Sequence, residues 1–219
     1  MSRLLYTIYS NNFLPEYYKD IITIQQDYAN KCNADYMVHH IKQSMSFADL
    51  QMQKLLLLES QFYDQIVYID FDVIPLSHSK DIFQQNYNLA MLPLLRYQHS
   101  CSKMKIKNNV HRYYNTLSRS REIIFNTGVV ATTMDAVHKL RLYERYQKFK
   151  KAGTDINNEA FITWLIETYN VSYNVLPASY NNIVDQTFKD PQYNISNFVH
   201  FSNKQFSFQQ TALHTEINW

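Results

Sequence analysis

Short β-branched and aromatic runs alternate along the chain with longer stretches whose apolar residues recur every three or four positions. The run from Leu4 to Tyr9 stops at Ser10-Asn11-Asn12, as a strand entering a turn does. Pro15 then marks a helix start, and Tyr18, Ile21, Ile22, Ile24, Gln25 and Tyr28 form a stripe at helical spacing. Asp35 to Val38 reads as a second strand. From Ser46 to Phe62 the pattern predicts a helix, with Leu50, Leu55, Leu58 and Phe62 at helical intervals among strong helix formers. Gln65 to Asp70 follows, nearly continuous in apolar residues, like a strand buried on both faces.

Strand, helix, strand, helix, strand is the order that builds a parallel sheet covered by helices, so the expected class is α/β. Further strands are expected at Tyr87 to Leu92, Val129 to Thr132, Val171 to Leu176 and Asn197 to Phe201, and helices over Met134 to Phe149 and Asn157 to Tyr169. Ligands of such sheets bind beyond the carboxyl ends of the strands. That rule places Tyr9 to Asn11 and the segment after Ile69 on one rim. No internal repeat interrupts the pattern, and the expected organisation is one domain over residues 1–206 with a tail over 207–219.

Composition narrows the chemistry. A chain of 219 residues, 46% hydrophobic and 18% charged, can build a full core without disulfide or metal staples. No apolar run reaches about 18 residues and the start carries no secretory pattern, so the expected location is cytoplasmic. Two cysteines, Cys32 and Cys101, make no Cys-x-x-Cys pair. Only two glycines occur, Gly128 and Gly153, which excludes a P-loop, a G-x-G-x-x-G dinucleotide turn and a G-x-S-x-G nucleophile elbow. Any bound nucleotide must have its phosphates held another way.

The net charge of +2 is unevenly spread. Seven basic residues and no acid lie between Arg96 and Arg121, and the rest of the chain carries 14 basic against 19 acidic residues. Such a run is either a solvated face or a surface for an anionic ligand.

The sharpest local feature is Ile66-Val67-Tyr68-Ile69-Asp70-Phe71-Asp72-Val73-Ile74-Pro75, two acids one residue apart at the tip of a buried strand. One acid there can cap a turn. Two repel each other unless a cation neutralises them. Two chemistries use such a pair. In the haloacid-dehalogenase type of phosphatase the first Asp is a nucleophile and the second an acid/base. In a divalent-metal clamp the carboxylates hold the ion and the ion holds a diphosphate. Position favours the clamp, because two β-α units precede the pair and no second acid pair ends a later strand.

Phe62 to Ile74, Phe125-Asn126-Thr127-Gly128-Val129-Val130 and Val199-His200-Phe201-Ser202-Asn203-Lys204 together resemble, in this order, the GT-A glycosyltransferases, in particular the glycogenin and galactinol synthase group and the xyloglucan xylosyltransferase group. The likeness spans residues 3–206. It implies a GT-A type fold, a Rossmann-like, mostly parallel sheet flanked by helices in a single domain. It also implies a hexosyl- or pentosyltransferase using a nucleotide-sugar donor, usually a UDP-sugar, with Mn2+ (or Mg2+) on Asp70, Asp72 and His200. Carboxylates with one imidazole suit either ion better than zinc.

The resemblance extends to other positions. It implies donor contacts by Thr7, Tyr9, Lys54, Asp70, Phe71, Asn126, Gly128, Asn158 and Lys204. The family stretch around Lys204 reads closer to His-x-x-Gly-x-x-Lys-Pro-Trp, and here the Gly and Pro-Trp are missing. Asn158 stands where relatives carry an acid before Gln or Glu. The basic segment from Arg96 to Arg121 falls where such enzymes receive a carbohydrate or glycoconjugate acceptor, here suited to an anionic one. If the reaction inverts the anomeric centre, Asp185 or Glu159 would take the acceptor proton. The alternatives are the phosphatase with Asp70 as nucleophile and a non-catalytic sugar-nucleotide binder. Nucleic acid is not expected as a partner.

Overall fold

All five residues of the strand that leads to the acid pair are buried, Gln65 and the run Ile66 to Ile69, and this strand sits in the middle of the sheet. A computed structural model of the chain describes residues 1–10, 18–41, 46–85, 87–95, 123–151, 158–184 and 196–201. The strands are β1 (Arg3–Ser10), β2 (Asp35–Ile41), β3 (Gln65–Ile69), β4 (Val73–Pro75), β5 (Leu89–Leu95), β6 (Ile123–Thr133), β7 (Asn174–Val175), β8 (Asn182–Val184) and β9 (Phe198–Phe201). The helices are α1 (Tyr18–Lys31), α2 (Phe47–Leu56), α3 (Met134–Leu140), α4 (Leu142–Lys151) and α5 (Asn158–Tyr169).

The main sheet has the order β2-β1-β3-β6-β5-β7. β1 pairs in parallel with β2 and β3, and β5 with β7, while β6 runs antiparallel to both its neighbours. The expected mostly parallel α/β sheet is therefore present, with β6 as the reversed strand. Its two faces carry separate cores. Tyr6, Ile8, Ile66 and Tyr68 pack with Leu55, Phe149, Phe161 and Leu165 on one face, and Leu5, Val67, Ile69 and Ala131 pack with Tyr28 and Phe198 on the other. This odd-even division is the strand period of two.

A second sheet, β4-β9-β8, was not foreseen at β4 and β8, because strands of three residues are too short to show alternation. Pro75 lies on an edge strand of it, where a missing N–H costs no ladder bond. Ile21 and Ile24 of α1 pack on Ile74, Val199 and Phe201 of this sheet.

Two helices differ from expectation. The helix from Ser46 ends early: after Leu56 it tightens into a 3-10 turn over Leu57–Ser60, leaving Phe62 exposed. The helix expected over Met134 to Phe149 is two helices, broken where Arg141 adopts a left-handed conformation (φ 46°, ψ 53°). Glu59, from that distant 3-10 turn, accepts the N–H of Leu142 and, at 3.0 Å, that of Tyr143. An acid on the free N–H groups of a new helix stabilises the restart. The strand expected at Val171 to Leu176 shortens to β7, and residues 202–219, including the expected tail, lie outside the described residues. Among the described residues no helix is long and apolar enough to cross a membrane.

Candidate functional site

The acid pair stands at the carboxyl end of β3, on the rim the sheet rule indicates. The turn that carries it is pinned from three sides. Asp70 N–H donates to the carbonyl of Gly128 (2.7 Å), Val73 N–H to the carbonyl of Asp70 (3.0 Å), and Phe201 N–H to the carbonyl of Asp72 (2.9 Å). Beneath it, the buried Gln25 amide donates to the carbonyls of Val73 (2.9 Å) and Asp70 (3.3 Å). Gln25 reads in the sequence as part of an apolar stripe; its buried amide instead ties α1 to this turn.

Asp70 is tightly held. Lys54 of α2, with a side chain only 1% exposed, reaches its two carboxylate oxygens at 2.8 and 3.1 Å. Tyr68 donates its hydroxyl to the same Oδ1. Burial first and the Asp70 charge second push the Tyr68 phenol well above its ordinary range, so it stays a donor. Lys54 is no surface lysine. It lies four residues after Leu50 and four before Leu58, both buried, so a cation interrupting an apolar stripe was the signal for it.

His200 approaches from β9, which pairs with β4 so that Val73 faces His200. Its Nε2 lies 3.4 Å from Asp72 Oδ1 and 3.9 Å from Asp70 Oδ2. Burial alone would lower the imidazole's pKa, and the carboxylates of Asp72 and Asp70 outweigh it and hold it above the ordinary value. One ligand atom from each of Asp70, Asp72 and His200 lies within 4.8 Å of the others. Two hard carboxylates and one imidazole fit a divalent cation that tolerates oxygen and nitrogen together.

Gly128 explains itself at this point. A Cβ added there would stand 2.6 Å from His200 Nδ1 and closer still to Cε1, so the imidazole occupies the space a side chain would need. Asn126-Thr127-Gly128 reaches the site through the pairing of β6 with β3, which sets Val129 opposite Ile69 and the Gly128 carbonyl on the N–H of Asp70. On its other edge β6 slips against β5, the partner on β6 moving from Ala131 to Asn126 between Ala90 and Leu92, and the extra residues bow the strand, as a bulge does.

Behind the imidazole lies a chain of amides. His200 Nδ1 shares a 2.9 Å hydrogen bond with Asn181 Oδ1, Asn181 Nδ2 donates to Asn126 Oδ1 (2.8 Å), and Asn126 Nδ2 donates to Glu159 Oε1 (3.4 Å). Burial pushes the Glu159 carboxyl up to about 7; Lys54 pulls it down, Asp70 pushes it further up, and His200 pulls it down. Asn158, the residue in place of an acid, is buried and donates to Thr127 Oγ1 (2.6 Å) and Gln51 Oε1 (2.9 Å). Asn181 carries no sequence signal, sitting in an irregular run with no period to mark it.

The end of β1 forms an adjoining wall. The Tyr9 ring stacks on His40 (centroids 4.7 Å apart, 16° between planes) and lies 5.4 Å from Phe71. Thr7 is fully buried, and its hydroxyl has no hydrogen-bond partner among the described residues. Thr7, Tyr9, Lys54, Asp70, Phe71, Asp72, Asn126, Gly128, Asn158, Glu159 and His200 thus all fall within the described residues. Asp185, Lys204 and the segment from Arg96 to Arg121 lie outside them.

No family model matches the sequence, and no characterised protein matches it at the sequence level. Solved structures do match. A crystal structure of a glycosyltransferase involved in the glycosylation of the major capsid of PBCV-1 aligns with a TM-score of 0.67 over 96% of this chain and 98% of that one, at 11% identity. The galactosyltransferase LgtC, solved with donor and acceptor sugar analogues, aligns at 0.54 over 92% of this chain and 87% of that one, at 10% identity. Mouse xyloside xylosyltransferase 1 aligns at 0.54 over 93% and 98%, at 9% identity. The fold is that of the GT-A glycosyltransferases, with an Asp-x-Asp and His group able to hold a metal ion.

Proposed function

We propose that this chain is a metal-dependent glycosyltransferase that moves a hexosyl or pentosyl group from a nucleoside diphosphate, in the first instance uridine diphosphate, to an acceptor hydroxyl. The observation that carries the reading is the convergence of Asp70, Asp72 and His200 at the carboxyl rim of a GT-A sheet. Manganese or magnesium held there would offset the charge that grows on the departing diphosphate.

The chain's own residues do the rest. Lys54 and Tyr68 hold Asp70 in one orientation. Tyr9, half-buried beside Phe71, offers a ring to the base, and Thr7, buried in the same strand, backs it. Asn126 and Asn158 are assigned to the sugar, and Lys204, on the resemblance of its sequence alone, to the diphosphate. The strand at Gly128, which has no side chain, lets backbone come close to the donor, and the rim would align the acceptor hydroxyl with the anomeric carbon. Glu159, with its carboxyl near 7, can take or hold a proton at neutral pH; Asp185 is the other candidate for that role. The acceptor is a carbohydrate or glycoconjugate, anionic if it meets the basic segment from Arg96 to Arg121. The phosphatase alternative has less support, because both oxygens of its would-be nucleophile Asp70 accept hydrogen bonds from Lys54.

A panel of nucleotide sugars screened for manganese-dependent hydrolysis tests the reading. One donor should be cleaved in the presence of the ion and should raise the melting temperature by linkage. Asp72→Ala should abolish hydrolysis with the fold intact by circular dichroism. Full turnover by that variant, or no melting shift with any donor at saturation, overturns the proposal.

A further inference from the structure

Donor and acceptor identities along the amide chain behind His200 are fixed by a backbone group. A main-chain N–H can only donate. Gly128 N–H donates to the side chain of Asn126 at 2.9 Å, so the atom it meets is the amide oxygen and not the nitrogen. Asn181 comes within 2.8 Å of that same oxygen. An oxygen there would confront another oxygen with no proton between them, so Asn181 turns its NH2 to Asn126 and its carbonyl oxygen to His200. That carbonyl lies 2.9 Å from Nδ1 and can only accept. The proton must therefore sit on Nδ1.

We infer that Asn181 is a positioning residue for His200: it holds the imidazole protonated at Nδ1 and leaves Nε2 as the nitrogen that meets a cation. Its use for a metal rests on the function proposed above; the assignment of the proton does not. The ring has little freedom to escape this arrangement. Its Cε1 and Nδ1 atoms occupy the space that a Cβ on Gly128 would need, so no side chain could fit there. Asn181 is 1% exposed, so water does not compete for its amide. Nε2 points at Asp72 Oδ1 and Asp70 Oδ2, the two carboxylates a cation would share with it. A hydrogen bond to the far nitrogen of a ligating histidine fixes its tautomer and orientation, and losing one typically weakens metal binding ten- to hundredfold. Here the information that sets the tautomer runs from the main chain of β6 through two side-chain amides.

Nitrogen-proton correlation spectra of the metal-free protein test the proton directly. The His200 Nδ1 resonance should remain that of a protonated nitrogen throughout the pH range in which the protein is folded, whether or not Nε2 also carries a proton. A deprotonated Nδ1 overturns the inference, independently of any metal. Manganese binding, read from the electron paramagnetic resonance of the free ion, tests the consequence. Asn181→Ala should lower the affinity ten- to hundredfold, and Asn181→Asp, which as the buried neutral acid keeps an acceptor for Nδ1 and an O–H for Asn126 Oδ1, should lose clearly less. Wild-type affinity in a folded Ala variant, or equal losses in two folded variants, overturns the positioning role. If the wild type binds no manganese, the metal reading fails, and the Nδ1 resonance still decides the assignment of the proton. If the Ala variant does not fold, the wild-type resonance decides alone.

Discussion

Asp70 and Asp72 are separated by one residue and occupy different physical worlds. Asp70, at 16% side-chain exposure, closes a strand buried on both faces and is gripped by Lys54, Tyr68 and the carbonyl of Gly128. Asp72 is 29% exposed, sits on the following turn, and meets His200 at 3.4 Å. One half of the corner is thus held in a fixed network, with a lysine ammonium against its carboxylate. The other half is less deeply buried. Preorganisation lowers the cost of ordering a site on binding, while a part-buried carboxylate keeps one side of the corner within reach of solvent.

Three substitutions break or sharpen this contrast. The largest effect belongs to Gly128→Ala. The added methyl must displace His200 or bow β6 further, so manganese affinity should fall by more than the hundredfold ascribed to an indirect partner, and titration calorimetry measures it. Retention of wild-type affinity would show that the ring can move freely, against the tight packing seen here.

Lys54→Met comes next. Removing one partner of a buried pair costs about 3 kcal/mol because the other charge is left uncompensated. Thermal unfolding without metal should show that loss. Manganese should then raise the melting temperature of the variant more than that of the wild type, since the ion replaces the absent ammonium. Equal shifts would mean that lysine and cation do not compete for Asp70.

The smallest effect belongs to Glu159→Gln, and it depends on pH. The folded carboxyl titrates at about 7 against an ordinary 4.5, so between these values the native state binds more protons than the unfolded chain. Stability contributed by the neutral acid is therefore present below about 4.5, and is lost as pH rises to about 7. The Gln variant lacks that loss. Its melting temperature relative to wild type should climb between pH 5 and pH 8, and a flat difference would mean that Glu159 is solvated.

Much of this corner was legible in the sequence, and the reasons the rest was not are specific. The acid pair stood out because a long apolar run makes any charge at its tip conspicuous, and two acids one residue apart pointed to a cation. Gly128 stood out because the chain has so few glycines. Lys54 was named through the resemblance alone, and the stripe it interrupts between Leu50 and Leu58 was a further signal left unread. Asn181 was not visible, since its importance lies in a contact with a residue nineteen positions later, and no local pattern records such a contact. The break at Arg141 was hidden for a similar reason. Neither glycine nor proline marks it, and the carboxylate that makes it tolerable comes from Glu59, far back along the chain. Likewise the slip of β6 against β5 depends on pairing across the sheet and leaves no local mark.

The bond from the amide of Asp70 to the carbonyl of Gly128 continues the ladder between β3 and β6 up to the floor of the site. Because those two strands are neighbours in the interior of the sheet, this floor has no private route to loosening. Prying it open means parting two neighbouring interior strands, so the floor lasts as long as the sheet itself, and any adaptation of the site must come from the parts that hang from the rim.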